Sequence, residues 1–258
     1  MIDLHTHILP GVDDGAASME ETATMLSLAA ADGTRAMVAT PHCDFRYRFD
    51  PDSCRSQLDC VQAACGPVPR LYLGCELHLS PENIERALAS PRRFTLNGGD
   101  CLLVELPDVA SDSGIEPGLD AILSARLRPV IAHAERNSCL LKNPALADRF
   151  VEIGCYLQLT AQSFAGAFGL DAKRLAGSLL RRQLVHFVAS DSHGAVHRRP
   201  FLALAYNEIA RHCGEPSARL LFCDNPRAAI ESAPIRSLCK APSWMSVALH
   251  NAYAIAKP

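Results

Sequence analysis

The chain has 258 residues, of which 48% are hydrophobic and 21% charged, and its formal net charge at pH 7 is −3. This length suits one large α/β domain or two small ones, and we expect a single domain over residues 1–258. No basic surface indicates nucleic acid or an anionic membrane as a partner. No apolar run reaches ~18 residues and no signal peptide is evident, so we expect a cytoplasmic protein without membrane insertion.

The cysteines also favour a reducing compartment. There are eleven of them, an odd number, and no two are spaced as C-x-x-C. Cys75, Cys101 and Cys155 lie in or beside strand-like runs. Because a free cysteine behaves as a small hydrophobic residue, these positions predict buried thiols rather than a disulfide framework.

Strand-like and helix-like segments alternate along the chain. The predicted strands are 2–5, 35–39, 70–76, 101–105, 129–133, 155–159 and 184–189. The predicted helices are 18–33, 51–65, one that starts at Ser80 and Pro81, 114–127, 144–153, 171–183 and 200–213. Seven βα units favour a parallel barrel, and the chain lacks the G-x-G-x-x-G loop typical of open doubly wound sheets.

The tail from about 234 to 258 is predicted to be irregular, and it contains the only tryptophan, Trp244. We expect this tail to pack on the barrel or to form a contact between copies of the chain, so a homo-oligomer is left open.

Metal-binding side chains recur where the predicted strands end. His5 and His7 stand at positions i and i+2, so both imidazoles point to one side of the first strand. Because the carboxyl ends of parallel barrel strands face one mouth, the corresponding groups of the other strands should meet them there. If Asp13 and Asp14, in the loop after the first strand, are counted as one position, the nine groups are His5, His7, Asp13 or Asp14, His42, Glu76, Glu105, His133, Asp191 and His193.

Nine groups are too many for one ion, whereas three divalent ions that share a bridging carboxylate would use them all. Nitrogen and oxygen ligands suit Mn²⁺, Fe²⁺ or Zn²⁺ better than copper or an iron–sulfur cluster. A lone histidine at a strand end is more often capped or solvated. We interpret the remaining histidines in that way: His78, His186, His197, His212 and His250.

A second motif suggests different chemistry. The segment from His212 and Cys213 to Arg219 satisfies H-C-x5-R, which resembles the signature of thiol-dependent tyrosine phosphatases. That mechanism needs a phosphate loop at a helix N-terminus. Cys213 instead follows a helical run, and Gly214 is predicted to end that helix, where the helix dipole repels anions. We therefore expect no thiol mechanism.

Several segments together resemble the PHP (polymerase and histidinol phosphatase) metallohydrolases, and within them the CpsB/CapC branch of bacterial metal-dependent protein-tyrosine phosphatases. The likeness covers about residues 1–230, and the opening segment is specific to the branch. The segments that carry it are 2–16, Thr40-Pro41-His42, Gly74-Cys75-Glu76, Glu105, 132–136, 189–193 and 224–227.

The resemblance implies a distorted seven-stranded (β/α)7 TIM-like barrel with a trinuclear site, most typically of Mn²⁺, at the carboxyl ends of the strands. It implies one ion on His5, His7, Glu76 and Asp191. A second ion would share Glu76 and take Glu105 and His133. A third would take Asp14, His42 and His193. Glu105 stands where other members of the superfamily often have histidine.

Two arginines match family positions that hold phosphate, Arg136 and Arg198. Arg199 is the rival for the second position, because the loop 194–197 departs from the branch pattern. Planar guanidinium groups suit bidentate binding of phosphate oxygens. Asp14 and His193 are further candidates for a role in proton transfer to the leaving group.

The implied reaction is hydrolysis of a phosphomonoester. The first hypothesis is a protein-tyrosine phosphatase that acts on the tail of a bacterial tyrosine kinase in capsule or exopolysaccharide synthesis. The second is a small-molecule phosphatase on the same scaffold, such as one for histidinol phosphate. The third is a non-catalytic metal-binding module, which would lack a ligand, and none is missing.

Overall fold

The computed structural model describes residues 1–108 and 114–238, and every structural statement refers to these ranges. Trp244 and most of the predicted irregular tail lie outside them. Residues 233–238, the last ones that the structure describes, belong to no helix or strand. Within the two ranges no helix is long and apolar enough to span a membrane.

Strands and helices alternate through these ranges. The strands are β1 (Ile2–Thr6), β2 (Ala36–Ala39), β3 (His42–Cys43), β4 (Arg70–Leu73), β5 (Glu76–His78), β6 (Cys101–Glu105), β7 (Arg128–Ile131), β8 (Tyr156–Thr160) and β9 (Phe187–Ala189). The α-helices are α1 (Met19–Ala31), α2 (Pro51–Cys65), α3 (Pro81–Ala89), α4 (Ile115–Ser124), α5 (Ser138–Lys142), α6 (Leu146–Glu152), α7 (Ala161–Ala165), α8 (Gly169–Arg181), α9 (Ala203–Cys213), α10 (Glu215–Arg219) and α11 (Asn225–Glu231).

All strand pairs are parallel, so the predicted parallel α/β architecture is confirmed. One sheet has the order β1-β2-β4 and the other the order β3-β5-β6-β7-β8-β9. A parallel bridge between Thr6 and Ser192 brings the end of β1 beside the segment after β9. There His7 N donates to Ser192 O at 2.9 Å, and Asp191 N donates to His5 O at 3.0 Å.

The predicted count of seven strands is not confirmed, because the described ranges contain nine. The predicted strand 70–76 is interrupted after Leu73, where Gly74 approaches Leu96 so closely that a Cβ would lie 2.7 Å from Leu96 Cδ2. The strand before it stops ahead of Pro41, which has no N–H for a sheet ladder, and β3 follows separately. Gly74 N still donates to Ala39 O at 2.9 Å across this junction.

Two of the predicted helices, those that start at Ser18 and at Ser80, begin at a serine that caps them. Ser18 Oγ accepts a hydrogen bond from Glu21 N, and Ser80 Oγ accepts one from Asn83 N. Gly33 has a φ of 97°, the left-handed conformation expected just beyond α1. The predicted helix 144–153 is shorter, as α6, and three short helices were not predicted: α5, α7 and α10. A π-helical turn over Leu220–Asp224 and α11 also lie beyond the predicted elements.

Strand periodicity explains how the fold presents polar groups at one end. Along β6, Leu102 and Val104 pack in the cluster that includes the helices, whereas Cys101 and Leu103 pack in an inner cluster. Alternate strand residues share a face, so Glu105 continues the inner face at the carboxyl end of β6. The inner apolar cluster therefore lies below the polar groups at the strand ends.

Candidate metal centre

The structure brings all nine predicted metal-binding residues into one cluster at the carboxyl ends of the strands. Glu76 lies at its middle and is completely buried at its side chain. Its Oε1 is 3.3 Å from His5 Nε2 and 2.7 Å from His133 Nε2. Its Oε2 is 3.4 Å from His7 Nε2 and 2.9 Å from His42 Nδ1. Both carboxylate oxygens of Glu76 therefore face histidines of the cluster.

The spacing of the inner ligand atoms fits a metal ion. His5 Nε2 and His7 Nε2 are 3.3 Å apart, and Asp191 Oδ1 lies 3.5 and 3.6 Å from them. Four ligands bound tetrahedrally at about 2.1 Å from a zinc-sized ion would be about 3.4 Å from one another. The separations thus match the first coordination shell of a divalent ion.

Two further groups of ligand atoms lie beside the first. Each comprises atoms within 4.8 Å of one another. One group contains His7, Asp14, His42 and His193, and the other contains His42, Glu76 and Glu105. His42 thus stands between the two groups. His133 Nε2 is 3.8 Å from Glu105 Oε1, so it also borders the second group.

Two buried atoms of the cluster have no hydrogen-bond partner in the protein. These are His42 Nδ1 and Glu76 Oε2, which lie 2.9 Å apart without hydrogen-bond geometry. An unpaired buried carboxylate oxygen is costly unless another group satisfies it. A cation at this place would satisfy both atoms, so the residues present fit a metal ion.

The two N-terminal histidines are oriented by different partners. Asp13 Oδ2 lies 2.7 Å from His7 Nδ1, and Gln158 Oε1 lies 3.0 Å from His5 Nδ1. Each contact leaves Nε2 directed at the ligand cluster, the arrangement that fixes the tautomer of a metal-binding histidine. Gln158 also accepts from His133 N at 2.9 Å. Sequence analysis did not identify Gln158, although a glutamine in a buried strand was a usable signal.

His78 was interpreted as a capped or solvated histidine, but the structure places it beside the cluster. Its Nδ1 is 3.2 Å from Glu105 Oε2, and this contact raises the pKa of His78. His186 is buried and accepts a hydrogen bond from Leu157 N at 3.3 Å. His197 is exposed, as expected, and His250 lies outside the described residues.

Both predicted phosphate-binding arginines point at Asp191. Arg136 and Arg198 each donate to Asp191 Oδ2, the oxygen that faces away from the histidines. Arg199 instead donates to Val196 O at 3.0 Å. The ring of Phe168, which sequence analysis missed, has its centroid 4.1 Å from Arg136 Cζ and 5.9 Å from Arg198 Cζ.

Three of these residues adopt the left-handed backbone conformation, which is uncommon for residues other than glycine. The φ angles are 31° at His133, 50° at Asp191 and 49° at Arg198. Such conformations persist where the surrounding structure enforces them, and they cluster at functional sites. At Arg198 the turn directs two successive arginine side chains to different places.

The charges within the cluster reinforce one another. Burial opposes protonation of His7, but Asp13 and Glu76 outweigh it and raise the pKa of His7 to about 9. Burial likewise opposes protonation of His42, and Asp14 with Glu76 raises its pKa to about 11. Hydrogen bonds from His193 and His42 lower the pKa of Asp14. The carboxylates thus favour positive charge in the centre.

Cys213 lacks the surroundings of a reactive thiol. It is the last residue of α9, and Gly214 follows with a φ of 87°. Burial raises the pKa of the Cys213 thiol to about 11, so the thiolate is scarce at neutral pH. Cys213 therefore lies at the end of a helix, as predicted, and not in a phosphate-binding loop at a helix N-terminus.

A parallel α/β fold with N and O ligands at the strand ends defines a metallohydrolase-like protein. The family described as "Capsular polysaccharide synthesis, CpsB/CapC" matches residues 1–231, so the chain belongs to the CpsB/CapC family. It is 34% identical over 239 residues to the tyrosine-protein phosphatase CpsB of Streptococcus pneumoniae, covering 89% of this chain and 98% of that protein.

Solved structures show the same relationship. A structure from work on YwqE of Bacillus subtilis and CpsB of Streptococcus pneumoniae, described as unique metal-dependent tyrosine phosphatases, superposes with a TM-score of 0.83. The two sequences are 32% identical, and the superposition covers 92% of this chain and 97% of the solved chain. A TatD homologue of Escherichia coli is 15% identical and superposes with a TM-score of 0.51 over 91% of this chain and 98% of its own. At this identity the match shows a shared fold alone.

Proposed function

We propose that this protein is a metal-dependent phosphatase that hydrolyses phosphotyrosine in a protein substrate. The observation that carries this proposal is Asp191. Its Oδ1 faces His5, His7 and His193, while its Oδ2 accepts from two arginines. A cation site and an anion site therefore meet at one carboxylate, as hydrolysis of a phosphate ester requires. The relatives named tyrosine-protein phosphatases and the capsule family support this substrate class.

The finer parts of the proposal follow the ligand geometry. One ion would be held by His5, His7, Glu76 and Asp191, a second by Glu76, Glu105 and His133, and a third by Asp14, His42 and His193. We favour Mn²⁺, with Fe²⁺ and Zn²⁺ as alternatives that share these ligands. The nine strands reduce to seven if β2 with β3, and β4 with β5, are each counted as one interrupted strand. This count supports a distorted (β/α)7 barrel in one domain.

Divalent ions held by these residues would polarise the phosphoryl group as Lewis acids and would lower the pKa of a bound water towards ~7. The chain's own contribution is to bind and orient the phosphate. Arg136 and Arg198 converge from two different segments, and their planar guanidinium groups would exchange Asp191 Oδ2 for phosphate oxygens.

Phosphotyrosine suits a site without a strong general acid. Its leaving phenolate has a conjugate acid of pKa ~10, far below that of an aliphatic alcohol. Asp14 or His193 is our candidate for moving a proton there, if it is not fully committed to a metal ion; Asp14 Oδ1 lies 3.4 Å from His193 Nε2, and the Asp14 side chain is half exposed. The substrate we infer is the tyrosine-phosphorylated tail of a bacterial kinase in capsule synthesis, and the location is the cytoplasm.

Turnover of a phosphotyrosine peptide and of histidinol phosphate by the same preparation tests this proposal. We expect a clear preference for the peptide, and loss of that activity in His5→Ala and in Asp191→Ala while both variants stay folded. Asp171→Ala, on an exposed side chain, is the control. Preference for histidinol phosphate would overturn the substrate class, and near-wild-type turnover in either site variant would overturn the site.

A further inference from the structure

A cavity of about 430 Å³ lies beside the candidate metal centre. It is bounded by α7, the loop after β9 and the start of α9. Its lining is mainly apolar and contains one side chain of the candidate anion site. Phe164, Ala165 and Phe201 supply apolar lining, and Val196, Arg198 and Leu204 also line the cavity.

The walls of the cavity are held together by hydrogen bonds. Gln162 Nε2, on α7, donates to Arg199 O at 2.8 Å, which ties that helix to the loop. Arg199 Nε donates back to Val196 O at 3.0 Å. The cavity is therefore preformed, as small binding pockets usually are.

The rim of the cavity exposes apolar side chains. Val196 is 68% exposed and Leu204 is 77% exposed. A single exposed apolar side chain is ordinary, but two at the edge of one cavity mark a surface that binds something. Besides Arg198, the lining carries Arg199 and Glu208, which bear opposite charges, and the remaining side chains are mostly apolar.

Arg198 connects the cavity to the anion site. It lines the cavity, and it also donates to Asp191 Oδ2. Phe168 continues the apolar surface towards Arg136, whose Cζ lies 4.1 Å from the ring centroid. A phosphate held at the two arginines would thus lie next to the cavity. In an extended peptide, successive residues advance by about 3.3 Å, so residues near the phosphorylated one would reach it.

We propose that this cavity binds an apolar side chain of the substrate protein within a few residues of the phosphotyrosine. The inference rests on the proposed function and names a feature of the substrate: an uncharged, apolar residue close to the phosphorylated tyrosine. Because buried apolar area stabilises a complex, the cavity selects among phosphotyrosine sequences rather than among phosphate esters.

The test measures the turnover of three kinds of substrate by the metal-loaded protein. The first is free phosphotyrosine, and the second is a heptapeptide in which all residues other than the phosphotyrosine are serine. The third is a set of such heptapeptides in which one serine, two or three residues before or after the phosphotyrosine, is replaced by leucine. We expect kcat/KM to be about tenfold higher for at least one leucine peptide than for the serine peptide. The double variant Val196→Ala with Leu204→Ala should remove this preference and leave free phosphotyrosine unaffected.

Leu170→Ala, on a side chain that is 62% exposed but does not line the cavity, is the matched control and should keep the preference. Equal rates for serine and leucine peptides would overturn the proposal, as would an unchanged preference in the double variant. A change in the oligomeric mass of that variant with unaltered peptide preference would show that copies of the chain meet here instead. Absence of turnover of any phosphotyrosine substrate would contradict the proposed function itself.

Discussion

The carboxylate of Asp13 lies 2.7 Å from Nδ1 of His7, and the same Oδ2 atom accepts a hydrogen bond from His42 N at 3.0 Å. One carboxylate therefore orients a predicted ligand directly after β1, His7, and anchors the backbone of another, His42, in β3. Carboxylate–histidine pairs of this kind raise the basicity of the imidazole towards a metal ion. Asp13 is consequently a candidate supporting group of the centre, although it is not among the nine predicted ligands.

Asp13→Asn should weaken metal binding by about 10- to 100-fold, the usual effect of losing such a partner. Competition between the chelator-stripped protein and a metal indicator measures it. Asp171→Asn, whose side chain is 82% exposed, is the matched control. An affinity equal to that of the wild type would show that Asp13 does not support the centre.

The two arginines should affect substrate rather than metal. Arg136→Ala and Arg198→Ala each remove a guanidinium group that points at the phosphate position, so kcat/KM for a phosphotyrosine peptide should fall by about tenfold or more. Metal content, measured by elemental analysis, should stay at the wild-type value. Arg199→Ala should leave the rate on free phosphotyrosine unchanged, and a loss equal to that of Arg198→Ala would reverse the assignment.

Gly15 is required by its contact with His7. A Cβ at this position would lie 2.1 Å from His7 O. Gly15→Ala should therefore lower the free energy of unfolding by about 1–3 kcal/mol, as overpacking does, and displace Asp14 from the centre. Urea denaturation measures the loss. Gly114→Ala, where nothing lies within 4 Å of the new Cβ, is the control, and equal stabilities of the two variants would contradict the argument.

His186 gives the protein an acid-sensitive contribution to stability. Burial lowers its pKa to about 4, whereas the unfolded chain has the ordinary value near 6.5. The unfolded state then binds the extra proton between these values, so stability is present above pH 6.5 and is lost as the pH falls towards 4. Between pH 7 and pH 5 the loss from this group is about 2 kcal/mol.

His186→Asn keeps an acceptor for Leu157 N and removes the titrating ring. With chelator present throughout, the variant should lose about 2 kcal/mol less than the wild type between pH 7 and pH 5, measured by urea denaturation at each pH. Identical pH dependence of the two proteins would show that His186 does not carry this effect.

Much of the site could be predicted because it depends on strand ends. His5, His133 and Asp191 each end or follow a short apolar run in the sequence, and parallel strands bring such ends together whatever the exact register. Glu76, predicted to end a strand, is instead the first residue of β5. The number of strands could not be predicted in this way. The interruption at Gly74 depends on its close packing against Leu96, a contact that no local pattern in the sequence encodes.

Gln158 and Phe168, which contact the predicted site residues, were harder to predict because their contacts also depend on tertiary packing. Gln158 meets His5 from 153 positions away along the chain, and Phe168 meets Arg136 only once α8 has packed beside the mouth. The choice between Arg198 and Arg199 depended on a left-handed turn at Arg198, a conformation that arginine does not signal.

We propose that the metal centre, and no thiol, hydrolyses phosphotyrosine. The direct test is hydrolysis of a phosphotyrosine peptide by chelator-stripped protein, with and without added Mn²⁺, in parallel with thiol alkylation. We expect activity to disappear with chelator, to return with Mn²⁺ and to be indifferent to alkylation. Activity that survives chelation but is destroyed by alkylation would contradict this proposal and assign the chemistry to Cys213.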